Sequence, residues 1–332
     1  MRIAIANDMP LAVEALRRAL AREPAHQIAW VAGNGAEAVA HCLSDVPDVL
    51  LMDLLMPEMD GVEATRQIMA ATPCAILIVT VDLDRNVHKV FEAMGHGALD
   101  AVDTPVLGGE REGATLLRKI HNIGWLIGQG EARGKARPRP PANQEPKQRL
   151  VAIGASAGGP ASLALLLRLL PKDFKAAVVL VQHVDAVFAE GMAQWLGSES
   201  NLPVRLARDG ESPQPGLVLL AGTNDHMRLL SDGTLAYTAE PCSHVYRPSI
   251  DVFFDSVVDH WRGEAIGVLL TGMGSDGALG LKHMRERGFL TIAQDQASCA
   301  VYGMPKAAAA MDAAVEILAL ERIAQRLVEA LA

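Results

Sequence analysis

The chain has 332 residues, half of them hydrophobic and 21% charged, and carries a formal net charge of −9. That length corresponds to about two ordinary domains, each able to bury its own core, and the acidic balance argues against a dedicated nucleic-acid binder. The four cysteines, Cys42, Cys74, Cys242 and Cys299, form no CxxC pair, which argues against a zinc site or a disulfide framework and for reduced thiols. The stretch Met1 to Asp8 turns acidic too soon for a signal peptide, and no apolar run is long enough to span a bilayer. The expected setting is cytoplasmic, with no direct membrane insertion.

Short apolar runs alternate with helical patterns from the first residue. Strands are expected at Arg2–Ala6, Ile28–Ala32, Val49–Met52, Ala75–Val79 and Ala98–Val102. Helices are expected at Pro10–Arg22, Gly35–Leu43, Gly61–Ala71 and Asn86–Met94, with a further helical pattern within Gly109–Gln129. Such alternation predicts a parallel sheet covered on both faces, with ligands at the carboxyl ends of its strands. Three polar residues fall at those ends: Asp8, Asp53 and Thr80. Carboxylates converging on one crevice repel each other and call for a hard cation such as Mg²⁺, although a lone aspartate in such a loop would carry no information.

Asn7-Asp8, the run Leu51 to Gly61, Thr80 and Gly97-Ala98 together resemble a response-regulator receiver domain over residues 1–125. The resemblance implies a flavodoxin-like (βα)5 fold in which Asp53 accepts a phosphoryl group from a CheA-type histidine kinase. It implies that Asp8, Asp53 and the backbone carbonyl of Leu55 ligate Mg²⁺, and that Thr80 binds the phosphate. Three positions depart from the pattern. Asn7 replaces the first of an acidic pair, Thr104 stands where a lysine is usual, and Ala101 occupies the aromatic switch position. Without the lysine, the phosphate loses a charge-assisted partner worth about 1.5–3 kcal/mol.

Residues 126–149 are proline-rich and basic and lack a hydrophobic period, so they read as an extended, solvated linker rather than as a nucleic-acid or membrane contact. Beyond it the alternation resumes, with strands expected at Leu150–Gly154, Ala177–Val181, Leu217–Ala221, Ala265–Leu270 and Thr291–Ala293. A second α/β domain, doubly wound and mostly parallel, is therefore expected over 150–332.

Its first strand runs into Gly154-Ala155-Ser156-Ala157-Gly158-Gly159-Pro160 and then a helical pattern. A serine between glycines at such a turn can present its hydroxyl as a nucleophile beside backbone N–H groups. The same stretch equally fits a plain βα turn or a phosphate cradle. The next strand ends in His183, and the strand Ile266 to Leu270 delivers Asp276 at the same edge. An imidazole can take the serine proton while a carboxylate orients the ring. His226, His244 and His260 compete as bases, and Asp225, Asp251 and Asp255 as orienters. The order Ser…His…Asp departs from that of the α/β-hydrolases.

Ile153–Pro160, Gln182-His183, Tyr246–Phe254, Leu270–Ala278, Ala293–Asp295 and Tyr302–Ala307 are similar to the catalytic domain of the CheB-type chemotaxis protein-glutamate methylesterases. Within that family the segment Asn7–Leu16 is most similar to the WspF branch, which serves a surface-sensing pathway. The resemblance implies a phosphorylation-controlled serine esterase that releases methanol from glutamate γ-methyl esters of a methyl-accepting chemotaxis-type receptor, with deamidation of glutamine as a companion activity. It implies Ser156 as nucleophile, His183 as general base and acid, Asp276 as orienter and the Met273 N–H as an oxyanion donor. Mg²⁺ is expected for the receiver and no cofactor for the esterase; a monomer is expected. In the family the unphosphorylated receiver restricts access to the esterase. Ala157, where a threonine is usual, and the altered loop Ala221–His226 leave open a non-catalytic adaptor, and an esterase of unrelated small substrates is the other alternative.

Overall fold

Continuous apolar runs buried on both faces form the strands of two parallel sheets, one in each half of the chain. The computed structural model describes residues 1–81, 85–105, 110–127, 148–242, 244 and 246–331. The chain divides into two units, Met1–Glu131 and Ala132–Ala332.

The strands of the first unit are β1 (Arg2–Ala6), β2 (Gln27–Ala32), β3 (Val49–Met52), β4 (Ala75–Thr80) and β5 (Asp100–Asp103). Its helices are α1 (Pro10–Leu20), α2 (Gly35–Ser44), α3 (Gly61–Ala71), α4 (Val87–Gly95) and α5 (Glu110–Ile127). The strands lie in the order β2-β1-β3-β4-β5, parallel throughout. The order reverses between β1 and β3, so a crevice opens at the carboxyl ends of those two strands. Local chemistry sets the helix starts: Asn34 and Asp60 accept hydrogen bonds from the Glu37 and Glu63 amides. Strand β5 begins at Asp100 rather than Ala98. The Gly97 and Ala98 amides close the end of α4 on the Met94 and Ala93 carbonyls, with Gly97 at φ +110°. Those residues are spent on a helix terminus before the strand can start.

The second unit contains β6 (Arg149–Ala155), α6 (Gly159–Leu169), β7 (Ala177–Gln182), α7 (Ala186–Glu199), β8 (Val204–Leu206) and β9 (Val218–Leu220). There follow β10 (His226–Leu229), β11 (Leu235–Thr238), α8 (Ile250–His260), β12 (Glu264–Leu269), α9 (Ala278–Glu286), β13 (Leu290–Gln294), α10 (Met304–Ala310), β14 (Glu316–Leu318) and α11 (Leu320–Ala330). The main sheet runs β14-β13-β12-β6-β7-β9-β8, again all parallel, and β10 and β11 pair as a separate antiparallel hairpin. From β6 the chain winds outward through β7 on one side and returns through β12 on the other, which makes the carboxyl ends of β6 and β12 a second switch point. Strands β8, β10, β11 and β14 have three or four residues each, none a continuous apolar run, and were not expected from the sequence. The expected α/β class with parallel sheets holds in both units.

Of the expected linker, residues 128–147 lie outside the described residues. Its two ends are elements instead: α5 continues to Ile127 and β6 begins at Arg149.

Close packing makes one glycine indispensable in the first unit. A Cβ at Gly61 would lie 1.9 Å from the Asp53 carbonyl oxygen, a backbone atom that cannot rotate away. Gly61→Ala should therefore destabilise this unit by about 2 kcal/mol or more, the scale of an overpacked core. Denaturant unfolding of the full chain checks this.

Candidate active site

At the second switch point the chain leaves β6 through a tight turn. The Ser156 N–H donates to the Thr271 carbonyl at 3.0 Å, and the Ser156 carbonyl accepts the Gly159 N–H at 2.7 Å. Gly158 holds the left-handed φ of +73°, and a Cβ there would lie 2.5 Å from Cβ of Ala300. Glycine is thus required at the turn on two separate grounds. The result is a serine that is 9% exposed at the start of α6.

The ends of β7 and β12 bring the partners. His183 Nδ1 lies 3.1 Å from Ser156 Oγ, and His183 Nε2 lies 2.8 Å from Asp276 Oδ2. Both the imidazole and the carboxylate are almost fully buried. An ionised carboxylate only accepts, so Nε2 carries the ring hydrogen and the Nδ1 lone pair faces the serine hydroxyl. This is the reverse of the nitrogen assignment in the chymotrypsin-type triad.

Asp276 is held by the start of α8. Ser249 Oγ donates to its Oδ1 at 2.8 Å, the Ile250 N–H to Oδ2 at 2.7 Å, and the Asp251 N–H to Oδ1 at 3.2 Å. Burial alone would raise this carboxyl. The His183 hydrogen bond and charge, with the Ile250 amide and Ser249 hydroxyl, outweigh burial and hold it below the usual carboxylate range. Ser249 also caps α8, accepting the Val252 N–H. Its place as a serine just before an amphipathic helix is a readable N-cap signal, but its second bond, to Asp276, was not readable.

Of the competing bases and orienters, His226, Asp251 and Asp255 are engaged elsewhere. His226 is fully buried, accepting the Ser249 N–H at Nδ1 (3.0 Å) and donating from Nε2 to the Pro241 carbonyl (3.2 Å). It therefore supports Ser249 from beneath, and burial lowers its pKa. Asp251 accepts the Gly280 N–H at 2.7 Å; burial, reinforced by the charge of Asp276, pushes it up to about 6. Asp255 pairs with His283.

Two further contacts escaped the sequence reading. The Gln182 side-chain amide donates to the Ser156 carbonyl at 2.9 Å and to the His183 carbonyl at 3.2 Å, tying the serine turn to the histidine. Thr271 Oγ1 donates to the Ala157 carbonyl at 3.0 Å and accepts the Val301 N–H at 2.8 Å. The loop after β12 passes directly over the serine, since a Cβ at Gly272 would lie 2.7 Å from Ser156 Cβ. Among the described residues neither the Met273 N–H nor the Ala157 N–H has a protein acceptor.

In the first unit the switch point gathers Asp8, Asp53 and Thr80. Asp53 is 5% exposed; its Oδ1 accepts the Leu54 N–H at 2.7 Å and its Oδ2 accepts Asn7 Nδ2 at 3.1 Å. Burial pushes the Asp53 carboxyl up to about 6; the Asp8 charge adds to this, while the Leu54 and Leu55 amides and the Thr80 hydroxyl oppose it. Asn7, standing where an acid is usual, thus donates to the carboxylate that an acid would repel. Thr104 Oγ1 is buried without a partner among the described residues, and Ala101 presents only a methyl. A buried carboxylate raised in part by a second carboxylate is a site that a hard cation would relieve. The oxygen donors available, Asp8, Asp53 and the Leu55 carbonyl, suit Mg²⁺.

Comparison with known proteins gives the same division of the chain. The family described as CheB methylesterase matches residues 151–327, and the response regulator receiver domain matches residues 3–117. A protein-glutamate methylesterase/protein-glutamine glutaminase of Pseudomonas aeruginosa is 74% identical over 99% of both chains. One of Cupriavidus metallidurans is 66% identical over 99% of this chain and 98% of its own. The crystal structure of the Thermotoga maritima CheB methylesterase catalytic domain covers 55% of this chain and 98% of its own, with 35% identity and a TM-score of 0.53.

The raised Asp53 carboxyl sets a pH dependence. A carboxyl raised on folding contributes most to stability while protonated, and that contribution is lost as pH rises through about 6. A cation needs the ionised form, so its binding restores stability above that pH. Mg²⁺ should raise the melting temperature of the full chain at pH 7.5 and have much less effect at pH 5. Its affinity should weaken roughly tenfold per pH unit below about 6, measured by titration calorimetry.

Proposed function

The chain belongs to the CheB methylesterase family, with a receiver domain ahead of the catalytic domain, and from that premise we propose how its residues carry out the reaction. It is a protein-glutamate methylesterase/protein-glutamine glutaminase under phosphorylation control. The observation that carries the assignment of roles is the hydrogen-bonded chain Ser156–His183–Asp276 at the switch point of the second sheet. We assign the receiver to residues 1–127, ending with α5, and the catalytic domain to residues 149–332, beginning with β6.

The substrate is the γ-methyl ester of a glutamate on a methyl-accepting receptor. His183 Nδ1 takes the Ser156 proton as Oγ bonds to the ester carbonyl carbon. The negative charge that collects on the carbonyl oxygen is met by the Met273 N–H, which has no protein acceptor among the described residues, and by the Ala157 N–H, which has none either. Asp276 stabilises the imidazolium so formed. That imidazolium then gives its proton to the departing methoxide, which leaves as methanol. Water attacks the acyl-serine with His183 again as base, freeing the glutamate carboxylate and restoring Ser156. With glutamine in place of the ester, the same sequence releases ammonia.

In the receiver, Asp53 is the acceptor of a phosphoryl group from a CheA-type histidine kinase. Mg²⁺, held by Asp8, Asp53 and the Leu55 carbonyl, would supply charge neutralisation at the phosphoryl oxygens. The Thr80 hydroxyl, which lies near enough to act on the Asp53 carboxyl, binds the phosphoryl group. The segment Asn7–Leu16 supports the finer assignment to the Wsp branch. Among the described residues no helix is long and apolar enough to cross a membrane, and we assign the protein to the cytoplasm.

Ser156→Ala should lower methanol release from methylated receptor by more than about a thousandfold, since only binding and oxyanion terms survive loss of the nucleophile. Near-normal release would refute the mechanism. Asp53→Ala should abolish labelling of the chain by a phosphorylated kinase, read as radiolabel retained on the protein; undiminished labelling would remove Asp53 from the site.

A further inference from the structure

The N–H and the lone pair through which His183 makes its two hydrogen bonds are both directed in the plane of an imidazole ring. Together they fix the line from Nδ1 to Nε2 but leave the ring free to tilt about that line. A tilt would carry the Nδ1 lone pair off the Ser156 hydroxyl without breaking either contact at once. A third contact, perpendicular to the ring, is needed to define its plane.

Tyr246 supplies that contact. Its ring lies flat on His183, with centroids 4.4 Å apart and an interplanar angle of 4°. The same side chain reaches the loop that carries Met273. A Cβ at Gly274, whose φ is +79°, would lie 3.2 Å from the Tyr246 hydroxyl oxygen. Three residues further on, Ser249 bonds Asp276. One short segment ahead of α8 therefore touches the face of the base, the carboxylate behind it and the loop over the serine.

We infer that Tyr246 is a positioning residue of the esterase reaction: its ring holds the plane of the His183 imidazole against Ser156 and covers the imidazolium as it forms. An aromatic face attracts a cation lying over it, so the contact strengthens as the proton arrives. The ring does this work, and the hydroxyl is dispensable. The inference rests on the triad roles proposed above.

The test uses the full chain, with methanol release from methylated receptor as the assay and a thermal melt of each variant as the check on folding. Tyr246→Phe, which keeps the ring, should retain kcat within about twofold. Tyr246→Leu should lower kcat about tenfold or more while KM stays within about twofold, because orientation rather than binding is lost. If the leucine variant does not fold, Tyr246→Met replaces it with the same expectation. An unchanged kcat in the folded leucine or methionine variant overturns the inference, and so does a tenfold loss in folded Tyr246→Phe. Ser156→Ala, assayed in parallel, separates the two levels. Turnover retained there defeats the esterase mechanism itself, whereas turnover lost there but intact in Tyr246→Leu defeats only the role of Tyr246.

Discussion

The carboxylate of Asp276 is a charge buried in the middle of a protein, and the catalytic half is arranged to satisfy it. An ionised carboxylate taken from water without partners is prohibitively costly, whereas one that accepts several hydrogen bonds is stable and stays ionised. Here the start of α8 supplies two amides and the Ser249 hydroxyl, and His183 supplies the remaining partner. That constraint fixes where α8 begins, why a serine caps it, and why His226 supports that serine with no lone pair to spare for catalysis. The imidazole is oriented as a consequence, because only its Nε2–H can face an acceptor that never donates.

Both units use one topological device. Each sheet reverses its strand order at a central strand, and each reversal opens a crevice at the carboxyl ends where loops from different strands meet. In the first unit the crevice collects two aspartates and a threonine; in the second it collects serine, histidine and aspartate. The difference lies in what each environment does to its carboxylate. Asp53 accepts few strong donors for its burial and is pushed up. Asp276 is surrounded by donors and is pulled down, so it needs nothing further.

The departures in the receiver also have a physical reading. Asn7 donates to Asp53 Oδ2, so the lost acid is replaced by a group that helps to hold that carboxylate. The Thr104 hydroxyl, where a lysine is usual, is neutral and unpartnered among the described residues, and the methyl of Ala101 gives no ring to swing. The oxygen groups of Asp8 and Thr80 remain around Asp53, while the lysine and the aromatic ring usual at positions 104 and 101 are absent.

Much of this was legible in the amino-acid sequence. Runs such as Val49–Met52 and Ala177–Val181 are apolar throughout because both faces of a parallel strand are covered, so strands, class and the two-domain division followed from pattern. Strand ends are local features too, which is why Ser156, His183, Asp276, Asp8, Asp53 and Thr80 could be named in advance. Only the tertiary structure put distances to that preference for His183 over His226 and for Asp276 over Asp251, because the residues concerned lie tens of positions apart in the chain. It alone set which imidazole nitrogen faces the serine, gave Ser249 and Gln182 their second partners, and laid Tyr246 on the base. Periodicity records which residues are buried, but hydrogen bonds and ring contacts depend on where separate strands and loops converge, and no local pattern encodes that.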